Sequence, residues 1–138
     1  RADLADMKTI FDWRNDPVTR KFAHQTEELV WDQHAQWFQS TLKNPKREIY
    51  MVKRNSESVA MIRRDREEAS WLISIVVSPE VRGQGIGKAV LTQFVQEFPD
   101  VYFAEIKPEN VASIKGFAAA GFTQIETPRA YQVWKYVP

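Results

Sequence analysis

Three glycines within seven residues, Arg82-Gly83-Gln84-Gly85-Ile86-Gly87-Lys88, separate a β-branched run from an amphipathic stretch. That junction restricts the possible folds more than any other segment. Upstream, Trp71-Leu72-Ile73-Ser74-Ile75-Val76-Val77 has the make-up of a buried strand and is closed by Ser78-Pro79. Downstream, Ile86, Val90, Leu91, Phe94, Val95 and Phe98 recur at helical spacing. Glycine permits positive φ and close approach of the backbone to a ligand. The helix start then offers free N–H groups and the positive end of its dipole, roughly +0.5 charge. In physical terms this is a pyrophosphate cradle.

Two common anion loops do not fit. A Walker loop needs G-x-x-x-x-G-K-[ST], but Lys88 is followed by Ala89 and the glycine spacing is wrong. The dinucleotide fingerprint G-x-G-x-x-G is absent, and no acidic residue ends a second parallel strand about twenty residues on. The pattern R-x-x-G-x-G at Arg82, Gly85 and Gly87 instead resembles the coenzyme A loop of the GNAT family of N-acetyltransferases. A second segment, Ala104-Glu105-Ile106-Lys107-Pro108-Glu109-Asn110 through Gly121-Phe122, resembles the later half of that family's domain. There a strand ends near an acidic residue, Asn110 opens a short helix with Ser113 on the same edge, and Gly121 suits the left-handed position after it. The resemblance runs from about residue 69 to 127 and is weaker elsewhere.

Length and composition agree with one α+β domain over residues 1–138. A chain of 138 residues can bury a full core, and 43% hydrophobic content with mean hydropathy of −0.46 is ordinary for a globular protein. No apolar run approaches 18 residues and no export signal opens the chain, so a cytoplasmic location and no membrane partner are expected. A net charge of +1 carries no nucleic-acid footprint. Cysteine is absent, which removes disulfides and thiolate zinc sites. His24 and His34 lack a third ligand at a usual spacing, so no metal is expected.

Helices are predicted at Leu4–Arg14, capped by Asp3 and broken by Asn15-Asp16-Pro17, and at Val30–Leu42. Strands follow at Glu48–Arg54, Val59–Arg64 and 70–77, then a helix to about Phe98 and a strand Val101–Ile106. A short helix at 110–119 precedes a final hairpin, Thr123–Glu126 with Tyr131–Tyr136 around Thr127-Pro128-Arg129. The mixed-charge run Arg63-Arg64-Asp65-Arg66-Glu67-Glu68 reads as a solvated hairpin. Trp71 and Trp134 read as sheet packing. The resemblance implies a central, mostly antiparallel mixed sheet flanked by helices. Its usual first strand is largely missing ahead of Arg1, which leaves open a domain cut from a longer chain.

The resemblance also implies a chemistry. Acetyl-CoA, as co-substrate, would lie along Ile75-Val76-Val77, with a backbone N–H near Val77 facing the thioester oxygen. Arg82, Gly83, Gln84, Gly85, Ile86, Gly87 and Lys88 would hold the pyrophosphate, and Asn110, Ser113 and Phe117 would line the coenzyme from the second segment. Glu105 stands where some members place a general base. A lysine with pKa about 10.4 is only about 0.04% neutral at pH 7, whereas an α-amine near 8 is roughly 10% neutral, so the need for that base depends on the acceptor. Many members protonate the departing thiolate with a Tyr seven residues after the helix-opening Asn. This chain has Phe117 there, which has no proton to give. Tyr131 is a substitute, ahead of Tyr136, and water is another.

Trp13-Arg14-Asn15 and His34-x-x-Trp37-Phe38 resemble a subgroup that acetylates amino-sugar nucleotides for nonulosonic-acid and surface-polysaccharide pathways. That resemblance implies an acceptor pocket bordered by Arg14, Asn15 and His34, with Arg14 or Arg20 offering charge to phosphates. The competing reading of His34 is a helix-packing histidine, and of Trp13, Trp31 and Trp37 a set of core aromatics. Three functions stay open at this point: a small-amine acetyltransferase favouring sugar nucleotides, a protein α-amine acetyltransferase, and a non-catalytic acyl-CoA-binding module. Oligomeric state is not legible.

Overall fold

Asp3 begins the first helical segment by a capping box. Its side chain accepts from the Ala5 N–H, and the Asp6 carboxylate accepts from the Asp3 N–H. The resulting 3-10 turn, Leu4–Asp6, continues into α1 (Met7–Asn15). Asp16 leaves helical geometry with ψ of 133°, as the break at Asn15-Asp16-Pro17 requires. A helix absent from the sequence reading then follows, α2 (Pro17–Phe22), with Asp16 as N-cap and Pro17 in the first turn. The proline that stops one helix starts the next. The third helix, α3 (Trp31–Lys43), presents His34, Phe38 and Thr41 inward.

The computed structural model describes residues 1–125 and 130–138; the expected turn at Glu126 and Thr127-Pro128-Arg129 lies outside the described residues. Beyond α3 come β1 (Arg47–Arg54), β2 (Glu57–Glu67), β3 (Ser70–Val77), α4 (Ile86–Glu97), β4 (Tyr102–Ile106), α5 (Val111–Ala119), β5 (Thr123–Ile125) and β6 (Gln132–Tyr136). The strands form one sheet in the order β1-β2-β3-β4-β6-β5. All neighbours are antiparallel except β3 and β4, so the sheet is mixed as expected. The final hairpin forms too, but β6 inserts between β4 and β5. At the other edge, the Ala2 N–H donates to the Ile49 carbonyl, so the residues before α1 lie against β1.

Period-two alternation sends side chains to two cores. Ile62, Trp71, Ile73, Tyr102, Ala104, Ile106 and Trp134 pack under α4 and α5 with Leu91, Phe94, Val95 and Phe117. Ile49 and Met61 pack under the early helices with Ile10, Trp13 and Phe38, joined by half-buried Val76.

The mixed-charge run does lie in a hairpin, between β2 and β3, with Glu67 and Glu68 exposed at its tip, but it is not solvated throughout. β2 continues through it to Glu67, and Arg64 is only 9% exposed. Its Nε and Nη2 donate to Glu48 Oε1 at 3.0 and 2.8 Å, and its Nη1 donates to the Tyr102 hydroxyl at 2.9 Å. The guanidinium lies 4.1 Å from the Trp71 ring centroid. The hydroxyl of Tyr102, fully buried, itself donates to the Phe98 carbonyl at 2.7 Å. Every polar group of this buried cluster therefore has a partner, which is what allows a guanidinium inside the core.

Candidate active site

The parallel contact between β3 and β4 stops almost where it begins. Only Trp71↔Tyr102 and Leu72↔Phe103 are in register, while β3 pairs with β2 along its whole length from Ser70 to Val77. Past Leu72 the two strands diverge, and among the described residues no strand covers the edge of β3 from Ile73 to Val77. A wedge therefore opens toward the C-terminal ends of β3 and β4. Ile75, Val76 and Val77 form one wall of it.

The glycine loop sits at the mouth. Ser78 caps a 3-10 turn, Pro79–Val81, by accepting from the Glu80 N–H, and its own N–H donates to the Val59 carbonyl. Gly83 has φ of +80° and Gly85 φ of +73°, the left-handed region that glycine alone enters cheaply. Gly85 is the N-cap of α4, and among the described residues no side chain caps that helix, leaving its first-turn N–H groups, from Ile86, Gly87 and Lys88, open. A Cβ on Gly83 or Gly85 would meet no atom within 4 Å, so the fold itself does not crowd this surface. Gly87 lies 3.6 Å, at its Cβ position, from Val77 Cγ2, which brings α4 directly over the wall of the wedge.

Two side chains hold the loop from outside. Arg82 Nη2 donates to Asp16 Oδ2 at 2.6 Å and to Thr19 Oγ1 at 2.7 Å, tying the loop to the start of α2. Gln84 Oε1 accepts from Arg54 at 3.2 Å. Burial raises the Asp16 carboxyl, but the Arg82 hydrogen bond and the Thr19 N–H outweigh it and hold it below the usual carboxylate range. Between α1 and the Ser78–Glu80 turn lies a cleft of about 440 Å³, lined in part by Asp12, Asn15, Asp16 and Pro79.

The second segment builds the far side. Asn110 Oδ1 accepts from the Ser113 N–H at 3.3 Å and caps α5. Phe117 is 3% exposed and meets Phe122 edge-on at 4.9 Å within the larger core. Gly121, with φ of +102°, turns the chain out of α5. Glu105 lies opposite Val133, half-buried, on the sheet face that carries α1 and α3. Tyr131, two residues before Val133, meets His24 edge-on with centroids 4.2 Å apart. Lys107 Nζ donates to the Lys21 carbonyl at 3.0 Å, so the end of β4, the start of β6 and the exit of α2 converge.

The early helices place the remaining candidates. The Arg14 guanidinium lies 4.4 Å from the Trp37 ring centroid, and Arg63 lies 5.3 Å from the same ring. Burial and the neighbouring Arg63 charge both lower the Arg14 pKa. Arg63 is held by Asp65 through two hydrogen bonds, whereas Arg20 Nε is buried without a partner. Asn15 spends both amide groups on the Leu29 backbone, at 2.7 and 3.2 Å, and so fixes the loop after α2. His34 is 3% exposed, ringed by Phe11, Trp31, Trp37 and Phe38. Its Nε2 is 3.1 Å from the Met7 carbonyl, which can only accept, so Nε2 carries the proton. Nδ1 is buried with no partner, and burial first, with Arg14 adding to it, holds the imidazole below its ordinary pKa. His34 thus takes the helix-packing position rather than an exposed one.

The sequence marks Asp16 only as part of the helix break at Asn15-Asp16-Pro17 and gives Thr19 no role. The two residues are 66 and 63 positions from Arg82, and no local pattern links them to it.

With this geometry in view, the relationships are consistent. An uncharacterized protein of Methanocaldococcus jannaschii is 26% identical over 143 residues, covering 95% of this chain. The chain corresponds to 28% of that protein's length. A domain from the same organism superposes with a TM-score of 0.81 at 20% identity, covering 99% of this chain and 94% of that one. A spermidine N-acetyltransferase from Vibrio cholerae, in complex with CoA and spermine, superposes with a TM-score of 0.82 at 12% identity, covering 97% and 89%. Both superpositions establish likeness of fold. Residues 7–122 match the profile of the acetyltransferase (GNAT) family, and the chain belongs to that family.

Proposed function

We propose that this chain uses acetyl-CoA to acetylate a primary amine directly, and that the favoured acceptor is an amino-sugar nucleotide. The observation that carries the first part is the uncovered edge of β3 running into the uncapped start of α4. A coenzyme has two demands, an amide-rich pantetheine to pair and a pyrophosphate to neutralise. An open strand edge meets the first, and free N–H groups at a helix N-terminus meet the second. Bound there, acetyl-CoA supplies an activated acyl group and a thiolate leaving group.

The chain's own residues do the rest. A β3 backbone N–H near Val77 stabilises the oxyanion as charge develops. Glu105 removes the ammonium proton of the acceptor, a contribution of about 10²–10⁴-fold. Tyr131 returns a proton to the thiolate, since Phe117 has none and is packed in the core. Asn15 acts indirectly, by fixing the loop that leaves α2.

Support for an anionic acceptor comes from the α1–α3 side. Arg14 and Arg63 both approach the Trp37 ring, and among the described residues only Arg63 of the two has a carboxylate partner, Asp65. A basic wall beside an aromatic suits a nucleotide diphosphate better than a polyamine. The test is free-thiol release from acetyl-CoA against UDP-linked amino sugars, N-terminal peptides and polyamines, with coenzyme binding measured in parallel. Turnover with an amino-sugar nucleotide alone is expected. Turnover confined to peptides would replace the acceptor, and binding without release on any amine would make the chain an acyl-CoA-binding module.

A further inference from the structure

We infer that Asp16 is a positioning residue for the coenzyme loop, acting through Arg82. The inference rests on the reading of residues 82–88 as the coenzyme site and adds a residue from the opposite end of the chain. A loop containing Gly83 and Gly85 loses much conformational entropy when it is ordered. Ligand binding is weakened by that cost unless the loop is already held in its bound shape. Here the holding is visible. Arg82, the first residue of the loop, is fastened to Asp16 Oδ2 and Thr19 Oγ1, and Gln84 is fastened to Arg54.

The choice of aspartate at position 16 points the same way. As N-cap of α2, Asp16 accepts from the Thr19 N–H at 3.1 Å. Asparagine would cap as well, so capping does not require a charge at this position. Arg82 makes use of one: an asparagine oxygen could still accept its hydrogen bond, but only a carboxylate adds the attraction of an opposite charge. The pair also cancels its own charge. The pyrophosphate is then met by the N–H groups of α4, with neither an unpaired carboxylate repelling it nor a free guanidinium pulling the loop out of shape. Because Asp16 joins α1 to α2, the same contact links the early helices to the coenzyme loop.

The experiment compares Asp16→Asn, Arg82→Gln and the double variant of the full chain, using calorimetric binding of coenzyme A and thermal unfolding. Asp16→Asn keeps the cap, so its unfolding temperature should fall no further than that of Arg82→Gln, which loses the same ion pair, while coenzyme affinity falls about fivefold, the upper range for a partly exposed ion pair. Arg82→Gln leaves the α2 cap intact and should show the same loss. The double variant should bind no worse than either single one, because both remove one interaction. Parental or tighter affinity in Asp16→Asn, or losses that simply add in the double variant, would overturn the inference. A parallel Gly85→Glu chain separates the levels. If it too binds normally, the loop is not the coenzyme site; if it alone loses binding, the loop reading stands and Asp16 is only a cap.

Discussion

Gly85 allows the coenzyme reading to be tested with the fold held constant. It sits at φ of +73° as the N-cap of α4, and a Cβ there meets nothing within 4 Å. Any L side chain is therefore strained by about 1–2 kcal/mol, from backbone alone. Gly85→Ala and Gly85→Glu share that strain and should lose similar stability in urea. They differ in charge. A carboxylate about 5 Å from a phosphate costs roughly 3 kcal/mol at an effective dielectric constant near 20. That converts to about 10²-fold in affinity. Gly85→Ala should bind coenzyme A with a modest loss, and Gly85→Glu about a hundredfold more weakly, with partial recovery in high salt as the repulsion is screened. Equal affinity for the two variants at low salt, measured by calorimetry, would refute the placement of the pyrophosphate at this helix start.

Glu105→Gln should lower turnover by about 10²-fold or more, most for the more basic amines; undiminished turnover would take the base role from Glu105. Tyr131→Phe should slow turnover without changing coenzyme affinity, and full activity would return the thiolate's proton to water. Tyr102→Phe should cost about 2–4 kcal/mol in urea unfolding, since it strips Arg64 Nη1 of a charge-assisted partner and the Phe98 carbonyl of its donor; a loss below about 1 kcal/mol would contradict the buried network. His34 has its folded pKa depressed, so the unfolded chain takes up the proton first as pH falls. The stability it contributes is complete above about pH 6.5 and is lost on descent through the lowered folded value. Unfolding free energy should therefore decline between pH 7 and 5, and His34→Gln should flatten that slope; Asp16, Glu48 and Asp100, also depressed, act at lower pH and leave the window clear.

What was legible in the sequence was local chemistry with a fixed period or a fixed geometry. The strand Ser70–Val77, the glycine loop, the stripe of α4 and the Asn110 cap each announce themselves within a dozen residues. α2 was not legible, because six residues from Pro17 to Phe22 hold too few turns to show a helical stripe. Arg64 was hidden by its neighbours. Within a run of charges its alternation with Ile62 is masked, and only the distant Glu48 and Tyr102 make its burial affordable. The position of β6 between β4 and β5 also escapes local reading, since a hairpin pattern fixes which strands pair with each other and not which of them meets the sheet. In the candidate site the glycine segment was foreseen, while its tether to Asp16 depends on a contact that chain proximity cannot encode.

The two-pair contact between β3 and β4 has a mechanical consequence. It is a fulcrum: Arg64 bridges from β2 to Tyr102 there, and the Trp71 indole N–H and Arg66 both donate to Asp100 just ahead of β4. From Leu72 to Val77 the β2–β3 pair, bonded along its whole length, forms a lever arm of about 16 Å, so each degree by which it turns relative to β4 shifts its tip by roughly 0.3 Å. A tilt of a few degrees thus becomes about 1 Å at the tip, which, with the thioester placed there as proposed, is enough to change a rate about a hundredfold. Under the proposed coenzyme placement, alignment of the thioester at one end of the sheet depends on hydrogen bonds at the other.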